Sequence, residues 1–261
     1  MKKLNYIFIG GKQLGYNCLN FLLKKKNKPI FLIPNLDDNG KDNIFNKSIK
    51  KLAKKKKIRI INLRNLSRIL DKKKIIIDVI FCLGSSQIIP RKILEKSTMG
   101  ALNIHPSLLP KYRGRYSIPH AIFAGEKYSG ISTHWIGKKI DTGRVISQVK
   151  IKIKNQDTAE TVYKKFTSIA TAEFRKLYFR IIKNINFNYK KINFKSSKYK
   201  KKSLPNNGMI DWRWSGEKIL RFIRSMLHEP FPPPKLKIGL KDYFIVSEKY
   251  LDKNKFVKSP K

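Results

Sequence analysis

Two short segments of this chain hold residue types that do chemistry, at spacings that bring them to one side of the backbone. The first is Asn103-Ile104-His105-Pro106-Ser107-Leu108-Leu109-Pro110-Lys111-Tyr112-Arg113-Gly114. Asn103 and His105 alternate with Leu102 and Ile104, so on an extended stretch the amide and the imidazole project to the same side. Pro106 breaks the chain immediately afterwards. A buried structural histidine seldom has an Asn two residues before it and a Pro-bounded loop directly after it. The second segment is Ile140-Asp141-Thr142-Gly143, a carboxylate beside a glycine turn between two strand-like runs. An imidazole titrates near neutral pH and is the usual carrier of protons in catalysis. Taken one at a time, each of these residues reads as structural before it reads as catalytic. An Asp-Thr-Gly tripeptide also occurs in aspartic proteases, but there two carboxylates share a proton, and this chain has one copy.

The elements that must position these residues follow from periodicity. Leu4–Ile9 is a short apolar strand, and Leu14, Cys18, Leu19, Leu22 and Leu23 recur at helical spacing. Strands are expected at Ile30–Ile33, Ile58–Ile61 and Ile75–Leu83, with helices at Ser48–Lys57 and Leu66–Leu70 between them. Alternating β and α with fully apolar strands is the pattern of an open parallel sheet covered by helices. Residues 84–120 are turn-rich, and strands follow at Gly130–Ile136 and Val145–Ile153. Asp157-Thr158-Ala159-Glu160 reads as an N-cap with an acidic first turn, opening a helix to about Lys183. Residues 186–208 are Lys- and Asn-rich and read as a basic linker or surface hairpin. The remainder, 209–261, reads as a small unit with Ile210-Asp211-Trp212, a helix from Gly216 to Leu227, a Pro-rich run and a hairpin around Gly239.

The Gly-rich turn after the first strand, Gly10-Gly11-Lys12-Gln13-Leu14-Gly15, fails two well-known patterns. A dinucleotide fingerprint needs glycine where Lys12 stands, and a P-loop needs Lys-Ser/Thr where Tyr16 follows Gly15. What survives is a tight strand-to-helix turn, whose backbone N–H groups and Lys12 suit an anion as well as they suit no ligand at all.

Composition narrows the classes further. The 261 residues carry 59 Lys+Arg against 17 Asp+Glu, a formal charge of +42, which invites a nucleic-acid reading. Of the basic residues 47 are Lys and 12 are Arg, and the Lys runs at 24–26, 54–57, 72–74 and 200–202 are scattered without interleaved aromatics. Lys, Asn and Ile share A/T-rich codons, so compositional drift accounts for the excess, and a small anion would use only a few of these charges. The two cysteines, Cys18 and Cys82, sit in apolar segments without CxxC spacing, which excludes a disulfide framework and a structural zinc. No apolar run reaches membrane-helix length and the N-terminus lacks a signal-peptide core, so a soluble cytoplasmic protein is expected.

Together, Asn103–Pro110 and Ile140–Gly143 closely resemble the 10-formyltetrahydrofolate-dependent formyltransferase family. Gly10–Leu19, and Leu83-Gly84 ahead of Ile88-Ile89-Pro90, are similar to that family too. The resemblance covers residues 4–155, and more weakly Ile210–Val246. It implies an α/β fold: a Rossmann-like formyltransferase core with a mostly parallel sheet over residues 1–185, and a small C-terminal α+β extension at 209–261. It implies a catalytic triad of Asn103, His105 and Asp141, folate contacts from Leu83, Ile88, Ile140 and Asp141, and 10-formyltetrahydrofolate as co-substrate without a metal. The roles suit the residue types: Asn103 donates to the oxyanion, His105 handles the amine proton, and Asp141 holds the imidazole. Two departures stand in the loop whose backbone holds the pteridine in that family. Gly137-Lys138-Lys139 replaces an acidic or Gly-containing lead-in, and Arg144 stands where Pro is usual.

Three amines come with the resemblance: methionyl-tRNA, glycinamide ribonucleotide and nucleotide-linked amino sugars. The tRNA enzymes carry a longer C-terminal barrel than this chain has room for, and the glycinamide enzymes end soon after their core. Lys111–Ile122, Gly125–Gly130, His134-Trp135, Ile210–Trp214 and Arg221–Arg224 are similar to sugar-nucleotide N-formyltransferases. The expected substrate is therefore a sugar nucleotide such as dTDP-4-amino-4,6-dideoxyglucose, feeding cell-surface polysaccharide synthesis. Lys12, Arg113, Trp212 and Arg224 are the expected substrate contacts, through charge for the diphosphate and a flat ring for the base. The alternatives are a shortened methionyl-tRNA formyltransferase, for which tRNA is the partner, and a degenerate fold that binds polyanions. No nucleic acid or membrane partner is expected otherwise. The C-terminal aromatics suit a homodimer interface as well as a base pocket. His120, His134 and His228 are expected to be structural.

Overall fold

The computed structural model describes residues 3–194, 203–228 and 231–245, and the backbone of 257–258. The Lys200–Lys202 run, Pro230 and Val246 lie outside the described residues.

The chain begins with β1 (Tyr6–Gly10), α1 (Lys12–Lys24), β2 (Phe31–Pro34), α2 (Ile49–Lys55), α3 (Leu63–Lys73) and β3 (Val79–Leu83). It continues through α4 (Arg91–Leu94), β4 (Ala101–His105), α5 (Ser117–Phe123), β5 (Tyr128–Trp135), β6 (Val145–Lys152) and α6 (Ala159–Ile182). After a short turn of helix at Pro205–Gly208 come α7 (Gly216–Met226), β7 (Lys235–Ile238), β8 (Lys241–Phe244) and β9 (Val257–Lys258). Six strands form one sheet in the order β2-β1-β3-β4-β5-β6, and the last three form a second. The β1–β2, β1–β3 and β3–β4 pairs are parallel, and β7–β8 and β8–β9 are antiparallel. This is the α/β architecture expected from the sequence, with its small antiparallel addition.

The chain divides into two compact units that interleave along the sequence. The first holds Met1–His105, Thr133–Ser147 and Thr167–Lys191; the second holds Pro106–Ser132, Gln148–Phe166 and the described part of 192–261. The sequence pattern and the resemblance imply a linear division, with one core over 1–185, a basic linker or hairpin at 186–208 and a small unit at 209–261. Packing regroups 106–132 and 148–166 with the C-terminal residues.

In the first unit β1 and β3 are buried at every position, as strands covered on both faces must be. One face sets Ile7, Ile9, Phe31, Ile33, Ile80 and Cys82 against Leu66 and Leu70 of α3. The alternate face carries Tyr6, Phe8 and Phe81, where Phe81 meets Phe174 of α6 edge-on at 5.2 Å. Asn27 ties this face together, accepting from the Tyr6 hydroxyl at 2.9 Å and donating to the Tyr178 hydroxyl at 3.2 Å. The turn into α1 is sterically closed: a Cβ on Gly10 would lie 2.0 Å from the Leu83 carbonyl oxygen. Ser48 caps α2 by accepting from the Lys51 N–H at 3.0 Å. The strand expected at Ile58–Ile61 reduces to a single bridge between Ile60 and Leu32, and α3 extends well beyond Leu66–Leu70 at both ends.

In the second unit α5 packs against α7, with Phe123 meeting Phe222 at 5.6 Å and Trp214 at 5.0 Å. Ile210, Phe222, Ile223, Met226, Leu236 and Ile245 form its apolar centre. Ser132 Oγ accepts from the Leu109 N–H at 2.9 Å and donates to the Ser107 carbonyl at 2.7 Å, fixing the loop after β4.

Candidate active site

The alternation of Ala101–His105 is realised in β4: Cys82 of β3 stands opposite Asn103, and Ile80 opposite Ala101. Asn103 and His105 therefore leave the same face of the sheet at the end of β4, with His105 almost fully buried. Asp141 is brought to them by the loop between β5 and β6. That loop is tethered at one end by the Ile136 N–H to the Ala101 carbonyl, 2.7 Å, and at the other by the Trp135 N–H to the Arg144 carbonyl, 3.0 Å. A Cβ on Gly143 would sit 1.6 Å from the Trp135 carbonyl oxygen, so only glycine allows this closure. Asp141 itself adopts a left-handed conformation with φ 51°, which Asp tolerates better than most residues and which turns its carboxylate back toward β4.

The result is a cluster of three protonatable groups and one amide within the first unit. His105 Nδ1 lies 3.4 Å from Asp141 Oδ2, with both side chains nearly buried. The other carboxylate oxygen, Oδ1, lies 3.6 Å from His134 Nε2. The same His134 Nε2 is 3.2 Å from Asn103 Nδ2, and His134 Nδ1 is 2.9 Å from the Trp135 carbonyl oxygen. Asn103, His105 and Asp141 are thus brought together as the sequence predicts. His134 was expected to be structural; the structure places it against both Asn103 and Asp141. Its signal in the sequence is faint: Ser129, Ser132, Thr133 and His134 of β5 are all polar and all buried, so the histidine does not stand out from its neighbours. His120 and His228 have structural surroundings, a Ser203 carbonyl contact for the first and flanking Tyr163 and Phe231 rings for the second.

Cys82 borders the cluster yet is no nucleophile. Burial pushes its thiol up to about 12; a hydrogen bond with Ser85 opposes this, and the Asp141 charge adds to the rise. Among the described residues no group of three His, Cys, Asp or Glu is arranged to hold a metal ion.

Around the cluster, the expected folate contacts separate into two kinds. Leu83 is fully buried and its carbonyl already accepts from the Gly11 N–H at 3.2 Å. Ile88 and Ile140, by contrast, are 73% and 40% exposed, apolar side chains offered to solvent in the loops after β3 and before Asp141. Lys138 and Lys139 point into solvent, and the Arg144 guanidinium stacks 4.5 Å from the Tyr189 ring centroid.

The expected sugar-nucleotide contacts fall in different places. Lys12 opens α1 in the first unit and is exposed. Arg113, Trp212 and Arg224 belong to the second unit. Arg113 lies 5.9 Å from the Phe194 ring centroid. Trp212 is 58% exposed, with its indole N–H donating to the Lys237 carbonyl at 3.3 Å. Arg224 Nη1 donates to the carbonyls of Asn155 and Asp157, which makes it a clasp between α7 and the segment leading into α6. Arg221 is likewise engaged, bonding Glu217 at 2.6 Å.

Residues 7–177 match the family model described as Formyl transferase. A GDP-perosamine N-formyltransferase from Brucella melitensis biotype 1 is 37% identical over 65% of this chain and 64% of its own length. A methionyl-tRNA formyltransferase from Wigglesworthia glossinidia brevipalpis is 32% identical over 96% of this chain and 77% of its own length. The chain spans between 34% and 64% of the length of the first curated relatives it matches. Among solved structures, an N-formyltransferase from Helicobacter canadensis, in complex with folinic acid and dTDP-3-aminofucose, superposes with a TM-score of 0.76. It is 28% identical, over 93% of this chain and 86% of that one.

Proposed function

This chain belongs to the formyl transferase family, and on that premise we propose that it transfers the formyl group of 10-formyltetrahydrofolate to the amine of a nucleotide-linked sugar. The observation that carries the chemistry is the convergence of Asn103, His105 and Asp141, with His105 Nδ1 3.4 Å from Asp141 Oδ2. The bound folate supplies the formyl carbon. A substrate amine attacking that carbon develops negative charge on the formyl oxygen and positive charge on its own nitrogen. The Asn103 carboxamide donates an N–H to the oxyanion, an effect worth about 3–4 kcal/mol for one donor in a site that excludes water. His105 presents Nδ1 to Asp141, which leaves Nε2 to accept the ammonium proton or to share the oxyanion. Asp141 fixes the imidazole tautomer and stabilises its protonated form, as a carboxylate does when it orients a catalytic histidine. The proton returns to the folate nitrogen as the amide product separates. Ile88 and Ile140 would bind the folate rings.

A sugar amine is favoured by the solved relative that holds folinic acid and dTDP-3-aminofucose and by the GDP-perosamine relative. Those two carry different nucleotides, so the proposal extends to the nucleotide-linked amino sugar as a class, with dTDP-4-amino-4,6-dideoxyglucose as one member. Trp212, exposed and aromatic, is the proposed base contact, and Arg113 of the same unit the proposed diphosphate contact. Methionyl-tRNA is the second reading, favoured by the relative that matches 96% of this chain. The experiment offers 10-formyltetrahydrofolate with dTDP-4-amino-4,6-dideoxyglucose, dTDP-3-aminofucose, GDP-perosamine and methionyl-tRNA in parallel. A formylated sugar nucleotide, detected by mass, is the expected product. Formylation of methionyl-tRNA alone would replace this reading with the second.

A further inference from the structure

We infer that His134 is a positioning residue, which holds the Asn103 carboxamide in the orientation that offers its N–H groups to the reaction. The inference deepens the reading of Asn103 as oxyanion donor and rests on it.

The hydrogen-bond logic runs outward from the backbone. A carbonyl oxygen only accepts, so the 2.9 Å contact between His134 Nδ1 and the Trp135 carbonyl puts a hydrogen on Nδ1. In the neutral ring Nε2 then has only a lone pair. Its 3.2 Å neighbour is Asn103 Nδ2, a donor, so Nε2 accepts from the carboxamide. A carboxamide has two ends of nearly equal size, and rotation by half a turn exchanges them. In the exchanged orientation Asn103 Oδ1 would face the Nε2 lone pair, acceptor against acceptor. His134 is 1% exposed, so water does not relieve that pairing. One of the two Asn103 N–H bonds is spent on His134, and the second stays correctly turned for an oxyanion. Without an acceptor at position 134, no other side-chain hydrogen bond among the described residues distinguishes the donor from the acceptor end of Asn103.

A competing role uses Asp141. Its Oδ1 lies 3.6 Å from the same Nε2 and would accept a hydrogen bond only from a ring protonated there. That arrangement needs an Nε2–H, which would point a donor at the Asn103 donor 3.2 Å away. One nitrogen cannot serve both, and the shorter contact with the unambiguous backbone partner behind it favours Asn103.

The test combines kinetics with a spectroscopic readout. His134→Phe keeps the volume and removes the acceptor; His134→Gln restores an acceptor oxygen. With 10-formyltetrahydrofolate and the nucleotide-linked amino sugar that the wild type uses best, His134→Phe lowers kcat about tenfold and leaves both KM values within about twofold. His134→Gln recovers to within about threefold of wild type. In an Asn103→Ala background, His134→Phe costs less than about twofold more, because its effect passes through the missing amide. Equal losses in both backgrounds would transfer the role to Asp141 and overturn the inference, as would an unchanged kcat. Nitrogen-15 NMR of labelled histidine in the substrate-free wild type should show His134 protonated at Nδ1 with a pyridine-type Nε2. A ring protonated at Nε2 overturns the inference whether or not any amine is turned over. A wild type silent toward every sugar nucleotide would sink the functional reading instead, and the tautomer would still decide the hydrogen bond.

Discussion

The cluster at the end of β4 and the aromatic, arginine-bearing region around α7 both attract attention in the sequence, and the structure treats them oppositely. Around α7 the charged and aromatic groups are mostly spent on one another. Arg224 clasps two carbonyls, Arg221 bonds Glu217, and Trp214 and Phe222 pack against Phe123. At the end of β4 the polar groups converge instead on one another, with His105 and His134 each facing one oxygen of Asp141, at 3.4 and 3.6 Å. Catalytic hydrogen bonds are often long before substrate arrives and tighten in the transition state. The lesson is that residue type marks both regions, while the convergence of an amide, two imidazoles and a carboxylate at one buried place distinguishes chemistry from packing.

The largest effect expected from breaking this contrast comes from Asp141→Asn. It removes the charge that orients His105 and should lower formyl transfer by at least about two orders of magnitude with sugar-nucleotide affinity unchanged. Steady-state kinetics beside equilibrium binding checks both halves. Gly143→Ala comes next, because its Cβ collides with the Trp135 carbonyl and the loop holding Asp141 must shift. An ångström of displacement there should cost about a hundredfold in kcat, with a lower melting temperature measured by calorimetry.

Arg224→Ala tests the other region. As a clasp it should cost about 1–2 kcal/mol of stability, read as a melting shift of a few degrees, with KM for the sugar nucleotide within about twofold. A tenfold rise in KM at unchanged stability would return Arg224 to the substrate contacts and blur the comparison. Asp157 gives the smallest effect. Burial pushes its carboxyl up, but Lys165 at 2.5 Å, the Lys154 N–H at 2.7 Å and the Thr161 hydroxyl at 2.9 Å together hold it below its usual value. A carboxyl lowered on folding contributes stability at neutral pH and loses it as the pH falls through the lowered value. Asp157→Asn should therefore destabilise at pH 7 by about 1–2 kcal/mol, with the difference from wild type shrinking below about pH 4 in urea titrations.

Much of the first region was legible because its constraints are local. Alternation put Asn103 and His105 on one side, Pro106 ended the strand, and the glycine after Asp141-Thr142 is required by the closure onto Trp135. His134 was missed because its importance lies across the sheet: only the neighbouring places of β4 and β5 set it beside Asn103. The strand expected at Ile58–Ile61 was overcounted for a similar reason, since apolar, β-branched residues there find a partner only at Leu32. In the second unit the sequence showed aromatics and arginines without showing their partners. Trp212 and Trp214 stand two residues apart, yet one is 58% exposed and the other packs against Phe123 and Phe222. The interleaving of 106–132 with the C-terminal residues has no local signature at all, being a property of contacts between distant segments.

The most direct test of the account sets wild type beside His105→Ala, with 10-formyltetrahydrofolate and a nucleotide-linked amino sugar, and measures tetrahydrofolate release together with the melting temperature. The account predicts turnover by the wild type, a loss of at least about two orders of magnitude in the variant, and superimposable melting curves. Near-normal turnover by His105→Ala would contradict it.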